Sequence, residues 1–261
     1  MNRLFFGLLL SLAAIPALAT IKGEEVTYRA GDTALKGYIV YDDAAKGKRP
    51  GILVIHEWWG HDNYARERAR ALAKLGYTAF AVDMYGNGKT VDHPDKASAA
   101  MNELLGDAGT LRARFDAAVN VLKKHKTTDA RRIAAVGYSM GGVIVLQMAR
   151  DGLDIAGVVD FYGMLDTKNP AKAGKVKTKI LVLNGADDPL VPPTSVEAFK
   201  KEMDTAKANY KFVNYPGAKH CFTNPGSDAL AAKFRLPFAY DAEADRNSWA
   251  ELQAFLKRIF G

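Results

Sequence analysis

A serine flanked by glycines is the strongest chemical signal in the sequence. Ser139 lies in the segment Gly137–Gly142, Gly-Tyr-Ser-Met-Gly-Gly, directly after the apolar run Ile133–Val136 and before an apolar helical pattern. A G-x-S-x-G motif between a strand and a helix forms a nucleophile elbow, a sharp turn that lifts the serine hydroxyl into a cleft. Glycines are needed beside the nucleophile because side chains would collide at such a turn. We therefore predict that Ser139 is a nucleophile.

A serine hydroxyl is a weak nucleophile until a base removes its proton, so an acid and a histidine must follow in the chain. The acid is predicted in the turn after the apolar run Leu181–Leu183, where Asp187 and Asp188 are adjacent. Asp188 is preferred because the arrangement G-x-x-D-x-x-V-P is typical of folds that carry such an elbow. Asp187 is then a turn-stabilising or solvated residue, and without the serine both could be simple turn formers before Pro189.

The base is predicted at His220, which follows the strand-like run Tyr210–Asn214 and precedes the last helical pattern of the chain. Five histidines compete for this role: His56, His61, His93, His125 and His220. Only His220 comes after the predicted acid, as the order nucleophile, acid, base requires. The others are interpreted by default as surface or core histidines, and His125 is expected to be solvated at a helix end.

Negative charge that develops on a carbonyl oxygen is stabilised by backbone N–H donors. One donor is predicted at Met140, the residue after the nucleophile, at the start of a helix whose unpaired N–H groups favour anions. The other is predicted at Trp58, in the loop His56–Gly60 after the apolar run Gly51–Ile55. Trp58 and the adjacent Trp59 are either packing residues or aromatic walls of a pocket for an apolar acyl group or a lactone ring.

The elements that must position these residues alternate along the chain. Continuous apolar runs predict strands buried on both faces, and helical patterns with one apolar face lie between them. This alternation predicts one α/β domain over residues 20–261, a doubly wound, mostly parallel sheet with helices on both faces. Strands are predicted at Glu25–Arg29 and Leu35–Tyr41, as a pair of edge strands, and at Gly51–Ile55, Tyr77–Val82, Arg132–Val136, Ile155–Phe161, Lys179–Leu183 and Tyr210–Asn214. Helices are predicted at Tyr64–Leu75, Leu111–Lys124, Val143–Arg150, Ser195–Ala206 and Arg246–Phe260.

Two stretches fall outside this alternation, Gly86–Gly109 and Thr223–Asp245. Both are predicted as long irregular loops. Loops of that length in a compact domain often carry function, so both are candidate walls of a substrate pocket.

The composition fits a globular domain and restricts its partners. Of the 261 residues, 48% are hydrophobic and 25% are charged, so a sizeable core can form. The net charge is +7, but Lys and Arg are interleaved with Asp and Glu, without a cluster suited to a phosphate backbone, and no nucleic-acid partner is expected. Because Cys221 is the single cysteine, neither an internal disulfide nor a cysteine metal cluster can form, and no metal site is predicted.

Residues 1–19 have the pattern of a secretory signal peptide. A short polar start with Arg3 precedes the apolar run Leu4–Ile15, and the segment ends in Ala17-Leu18-Ala19. The run is interrupted and too short to span a membrane, and no cysteine follows it for a lipid anchor. We expect cleavage after Ala19 and export without a stable membrane anchor, to the periplasm in a Gram-negative source and otherwise outside the cell.

Taken together, these motifs resemble the dienelactone hydrolase family from about Glu24 to Phe260. The segments that carry the resemblance are His56-Glu57-Trp58-Trp59-Gly60, Asp83-Met84-Tyr85-Gly86, Gly137-Tyr138-Ser139-Met140-Gly141-Gly142, Asp188 and His220. The resemblance implies a compact, largely capless α/β hydrolase that opens small lactones or esters without a cofactor. It also implies a role for Glu57, because the family places a glutamate beside the oxyanion hole, in contact with the resting nucleophile.

The sequence departs from the family in two respects. The family usually carries a cysteine at the elbow, where this chain has Ser139, so activation should depend more on His220. The family's dienelactone enzymes bind the substrate carboxylate with arginines, one of them shortly after the histidine, where Asn224 stands in this chain. Lys89, on the opposite wall, is a candidate substitute.

The sequence thus predicts a hydrolase that cleaves a small ester or lactone through an acyl-enzyme on Ser139, with His220 as base and Asp188 orienting its imidazole. Further residues are predicted in the pocket or beside it: Glu57, Trp59, Tyr85, Lys89, Cys221 and Phe222. Cys221 is either a lining residue or a small buried hydrophobe. Two alternatives stay open, a broader exported carboxylesterase for acylated sugars or polyester fragments, and a binding protein that keeps the fold without chemistry.

Overall fold

The computed structural model describes residues 20–261, and the predicted signal peptide, residues 1–19, lies outside the described residues. Eight strands of the described part form one sheet. They are β1 (Ile21–Ala30), β2 (Thr33–Asp42), β3 (Arg49–Ile55), β4 (Thr78–Val82), β5 (Thr128–Tyr138), β6 (Gly157–Phe161), β7 (Lys179–Gly185) and β8 (Tyr210–Tyr215). Their spatial order is β1-β2-β4-β3-β5-β6-β7-β8. Strand β2 pairs antiparallel with β1 and β4, and all pairs from β4 to β8 are parallel.

Helices cover both faces of this sheet. They are α1 (Asn63–Lys74), α2 (Pro94–Gly106), α3 (Ala108–Lys124), α4 (Met140–Arg150), α5 (Pro193–Thr205), α6 (Ser227–Phe234) and α7 (Ala242–Phe260). Helices α3, α4 and α5 pack into the core on one face, and α1 and α7 pack into the core on the other. Across residues 20–261, no helix has the length and apolar character needed to cross a membrane.

The strand sequences explain why two cores form. In β3, Leu53 and Ile55 point into one core, while Ile52 and Val54 point into the other, and all four side chains are fully buried. A parallel strand covered by helices on both faces needs apolar residues at every position, which is the pattern of this run. The predicted fold class, a doubly wound, mostly parallel α/β sheet without a large cap domain in the described part, is confirmed.

The predicted elements are present, with ends that differ by a few residues. Helix α7, for example, begins earlier than predicted, at Ala242, because Asp241 caps it. The Asp241 carboxylate accepts the N–H groups of Glu243 and Ala244 at 3.0 and 2.9 Å. The two N-terminal strands form a hairpin, as expected from their adjacency. Of these two strands only β1 lies at an edge of the sheet, however, since β2 also pairs with β4.

The two stretches predicted as irregular loops each contain a helix, so that prediction is wrong. Helix α2 lies in the first stretch, capped by His93, and α6 lies in the second. The buried face of α2 consists of Ala97, Ala100 and Leu104, and the only buried residue of α6 is Ser227. Small or polar residues at the buried positions give a weak apolar periodicity, which is why the pattern did not reveal these helices.

The topology brings the predicted site residues together at the carboxyl ends of the parallel strands. Ser139 follows β5, the loop that contains Trp58 follows β3, and Asp188 follows β7. His220 follows β8, the strand at the far edge of the sheet. Because these four strands are parallel, their carboxyl ends open on the same side, where α/β sheets bind their ligands.

Candidate active site

Ser139 lies at the sharp turn between β5 and α4. Its backbone has φ 52° and ψ −112°, a conformation that L-residues rarely adopt. A Cβ atom on Gly137 would lie 2.0 Å from the carbonyl oxygen of Gly141, and one on Gly142 would lie 1.9 Å from a carboxylate oxygen of Asp160. The glycines are therefore required by close approach, and the turn holds the serine at the top of its strand.

Ser139, His220 and Asp188 form one continuous hydrogen-bonded chain. The Oγ of Ser139 lies 2.8 Å from Nε2 of His220, and Nδ1 of His220 lies 2.7 Å from Oδ2 of Asp188. His220 and Asp188 are almost completely buried, while Ser139 is partly exposed. This geometry allows the histidine to accept the serine proton at one nitrogen while the aspartate holds the other N–H.

The turn after β7 distinguishes the two adjacent aspartates. Asp188 points inward, and its second oxygen accepts the backbone N–H of Leu190 at 2.8 Å. Asp187 is exposed, and its backbone N–H donates to the carbonyl of Ala218 at 3.0 Å. Only the Asp188 carboxylate is therefore placed to contact the imidazole of His220.

Three of the other histidines make structural contacts, and the fourth, His61, is buried. His56 is buried, with Nδ1 donating to the carbonyl of Glu57 at 2.5 Å and Nε2 accepting the N–H of Met84 at 3.2 Å. Burial lowers the pKa of His61 to about 4. His125, expected to be solvated, is only partly exposed, and its ring centroid lies 5.0 Å from that of Tyr41.

The backbone N–H groups of Met140 and Trp58 are available to an oxyanion. Within residues 20–261, neither N–H donates to a protein acceptor, and Met140 is the first residue of α4. The hydroxyl of Tyr85 lies between these residues, donating to the carbonyl of Trp58 at 2.8 Å and contacting the sulfur of Met140 at 3.2 Å. Tyr85 thus links the two segments that would form the oxyanion hole.

The two contacts of the Tyr85 hydroxyl predict the effect of removing it. Tyr85→Phe should lower kcat for ester hydrolysis about tenfold with little change in KM, because a loosened oxyanion loop weakens stabilisation of the transition state more than substrate binding. Steady-state kinetics on an aryl ester would measure both constants. The matched control is Tyr210→Phe. Tyr210 is the first residue of β8, at the end of the strand away from the site, and its hydroxyl contacts Asp204. A kcat equal to that of the control would contradict a positioning role for Tyr85.

An apolar cavity of about 250 Å³ opens above the serine. Besides Ser139 and His220, its lining residues are all hydrophobic: Trp58, Met101, Met164, Leu190, Leu236, Pro237 and Phe238. Met101 comes from the first of the two stretches that were predicted as loops, and Leu236, Pro237 and Phe238 come from the second. Those stretches therefore supply walls of the cavity, although the individual residues were not predicted.

Glu57 is buried behind the histidine in a polar cage. The hydroxyl of Tyr162 donates to Oε1 at 3.1 Å, and the amide of Asn224 donates to Oε2 at 2.8 Å. Burial is the main cause that raises the pKa of this carboxyl. In the part of the chain that the structure describes, the Glu57 carboxylate has no hydrogen bond to Ser139, so the contact implied by the family resemblance is not present in this conformation.

The remaining predicted pocket residues do not line the cavity above Ser139. Trp59 borders a separate open cleft of about 710 Å³, and Lys89 is exposed beside a small cavity that also contacts Tyr85. Cys221 is buried with φ 59°, and burial raises the pKa of its thiol. Phe222 is fully buried, with its ring centroid 5.2 Å from that of Tyr162.

A network of hydroxyls that no local motif indicated supports this region. The hydroxyl of Tyr162, the residue after β6, lies 2.8 Å from the hydroxyl of Thr223 and 3.2 Å from that of Tyr64. Arg68 donates to the Tyr64 hydroxyl at 3.0 Å and forms an ion pair with Asp245 at 2.8 Å. The network thus ties the histidine loop to α1 and α7. No cluster of metal-ligating side chains occurs among residues 20–261.

The fold and the site together define a class of protein. The sheet is mostly parallel with helices on both faces, and a serine lies at a strand-to-helix elbow. The aspartate and the histidine follow later strands in the order that this architecture uses. The protein is an α/β hydrolase.

Within that class, the chain belongs to the dienelactone hydrolase family, whose sequence model matches residues 35–260. Among solved structures, a dienelactone hydrolase-like promiscuous phosphotriesterase from metagenomic libraries has a TM-score of 0.85 and 32% identity, over 92% of this chain and 99% of that one. Protein usf of Aquifex pyrophilus is 28% identical over 240 residues, 90% of this chain and 98% of usf. A protein of Methylorubrum extorquens, named as a candidate carboxymethylenebutenolidase, is 29% identical over 226 residues, 82% of this chain and 74% of its own.

Proposed function

We propose that the protein hydrolyses small carboxylic esters or lactones through an acyl-enzyme on Ser139. The observation that carries the proposal is the chain of hydrogen bonds from Ser139 through His220 to Asp188, at 2.8 and 2.7 Å, below an apolar cavity. Membership of the dienelactone hydrolase family and similarity to a candidate carboxymethylenebutenolidase support the same reaction class.

In the first half of the reaction, the Oγ of Ser139 attacks the substrate carbonyl carbon while Nε2 of His220 takes its proton. The carbonyl oxygen becomes an oxyanion, which the N–H groups of Met140 and Trp58 stabilise. Asp188 stabilises the imidazolium through Nδ1. The carbon–oxygen bond then breaks, and His220 gives its proton to the leaving alkoxide.

In the second half, His220 removes a proton from a water molecule, which attacks the acyl carbon. The same oxyanion site stabilises the second tetrahedral intermediate. Collapse of that intermediate releases the carboxylic acid, and the proton returns from His220 to Oγ of Ser139. For a lactone substrate the alkoxide stays attached to the acyl group, so the product is a hydroxy acid.

The test is turnover of para-nitrophenyl butyrate and of a small aryl lactone by the purified protein. We expect saturable hydrolysis of both, and loss of turnover by several orders of magnitude in His220→Ala. Binding of either compound without turnover would instead support a non-catalytic binding protein on the same fold.

A further inference from the structure

The cavity above Ser139 is lined almost entirely by hydrocarbon and aromatic side chains. Apart from Ser139 and His220, it presents two methionines, two leucines, a tryptophan, a phenylalanine and a proline. Leu190, at this cavity, is 41% exposed, and Leu75 at 40% is the other large exposed hydrophobic residue in residues 20–261. An exposed leucine at the edge of an apolar cavity is a surface that an apolar ligand can cover.

The cationic groups near the site do not reach into this cavity. Lys89 is exposed beside a separate cavity, where Glu103 and Asp107 are the nearby carboxylates and Arg114 is bonded to the carbonyls of Met84 and Tyr85. Two further cations adjoin lining residues in sequence, Lys219 before His220 and Arg235 before Leu236. Both are exposed, and neither lines the cavity.

The polar groups behind His220 form hydrogen bonds with one another. The amide of Asn224 donates to Glu57. Asp188 and Glu57 are both buried next to His220, and no Lys or Arg of residues 20–261 lines the cavity. A substrate carboxylate placed here would lose its hydration without gaining an ion pair.

We propose that this cavity selects uncharged, apolar acyl groups and discriminates against acyl groups that carry a carboxylate. The inference rests on the proposed function, since it names the substrate class of the same site. Discrimination by charge follows from desolvation of the anion in an apolar cavity of about 250 Å³.

The experiment compares kcat/KM for two para-nitrophenyl benzoates of equal shape. One carries a meta-carbamoyl group and the other a meta-carboxylate, so both are polar and only one is charged. The meta position also prevents the carboxylate from attacking its own ester. We expect kcat/KM to be at least about 100-fold higher for the carbamoyl ester at neutral pH.

Two variants test where the discrimination arises. Leu236→Arg places a cation at the cavity, and its carboxylate-to-carbamoyl ratio of kcat/KM should exceed that of the matched variant Leu236→Gln at least about tenfold. Lys89→Ala and Arg235→Ala should leave the ratio of the unmodified protein unchanged.

Three results would overturn the inference. Equal kcat/KM for the two esters would show that the cavity accepts an anion, and a drop in the carboxylate ester's relative rate in Lys89→Ala or Arg235→Ala would show that one of these cations binds it. If none of the three esters, the two benzoates and para-nitrophenyl butyrate, is hydrolysed, the proposed function is overturned and this inference with it. Turnover of the butyrate with a ratio near one would overturn the inference alone.

Discussion

Ser139→Ala should lower kcat for para-nitrophenyl butyrate hydrolysis by about four orders of magnitude or more. The hydroxyl is the only group at the elbow that can form the acyl-enzyme, and it lies 2.8 Å from the base. The residual rate should come from the oxyanion site and from substrate binding, as in other enzymes of this mechanism. Stopped-flow or steady-state absorbance of nitrophenolate would measure the loss.

Two variants make this result specific. Ser139→Cys keeps a nucleophile of the type that the family usually carries, and should retain far more turnover than the alanine variant. Ser248→Ala removes a buried hydroxyl from α7, where it donates to the carbonyl of Asp245, and should change kcat by less than about twofold. Substantial turnover in Ser139→Ala would mean that another residue attacks the ester.

Asp188→Asn should lower kcat by about four orders of magnitude, although it changes one atom. The carboxylate lies 2.7 Å from Nδ1 of His220, and an amide there favours the wrong imidazole tautomer and cannot balance the charge of the imidazolium. KM should change little, because the residue lies behind the histidine and does not line the cavity.

The neighbouring aspartate provides the matched control. Asp187→Asn makes the same chemical change one residue earlier, on an exposed side chain, and should leave kcat within about twofold. Both variants keep the turn after β7, so a difference between them reports on contact with His220. A larger loss in Asp187→Asn than in Asp188→Asn would transfer the acid role to Asp187.

The parts of the site that could be predicted from the sequence are those set by strand ends and chain order. Ser139, Asp188 and His220 each follow a strand, and parallel strands bring such positions to one edge of the sheet. The glycines of the elbow have a local steric cause, which is visible in five consecutive residues. Their convergence within hydrogen-bonding distance is the feature that the folded structure adds.

The cavity walls could not be predicted in the same way. Met101, Met164 and Leu236 come from three distant segments, and an apolar residue in a loop or weak helix has no pattern that separates a pocket wall from core. The family resemblance makes Lys89 a candidate substitute for a carboxylate-binding arginine, but in the structure Lys89 lies beside a different cavity. Sequence position alone does not fix the direction of a long, exposed side chain.

The polar cage around Glu57 shows a second limit. Its partners Tyr162 and Asn224 lie 105 and 167 residues away in the chain, so no local spacing connects them. The carboxyl is held by these neighbours rather than by the nucleophile, which is already bonded to His220. In this conformation the glutamate thus bonds to Asn224 in the histidine loop and not to the serine.

The most direct test of the account is to locate the covalent adduct of a neutral fluorophosphonate by peptide mass spectrometry. In this reaction the nucleophile displaces fluoride at phosphorus, and the base that activates it is the same as for an ester. We predict one adduct per chain, on Ser139, with labelling strongly slowed in His220→Ala. An adduct on Cys221, the single cysteine, or no adduct in protein that hydrolyses esters, would contradict the account.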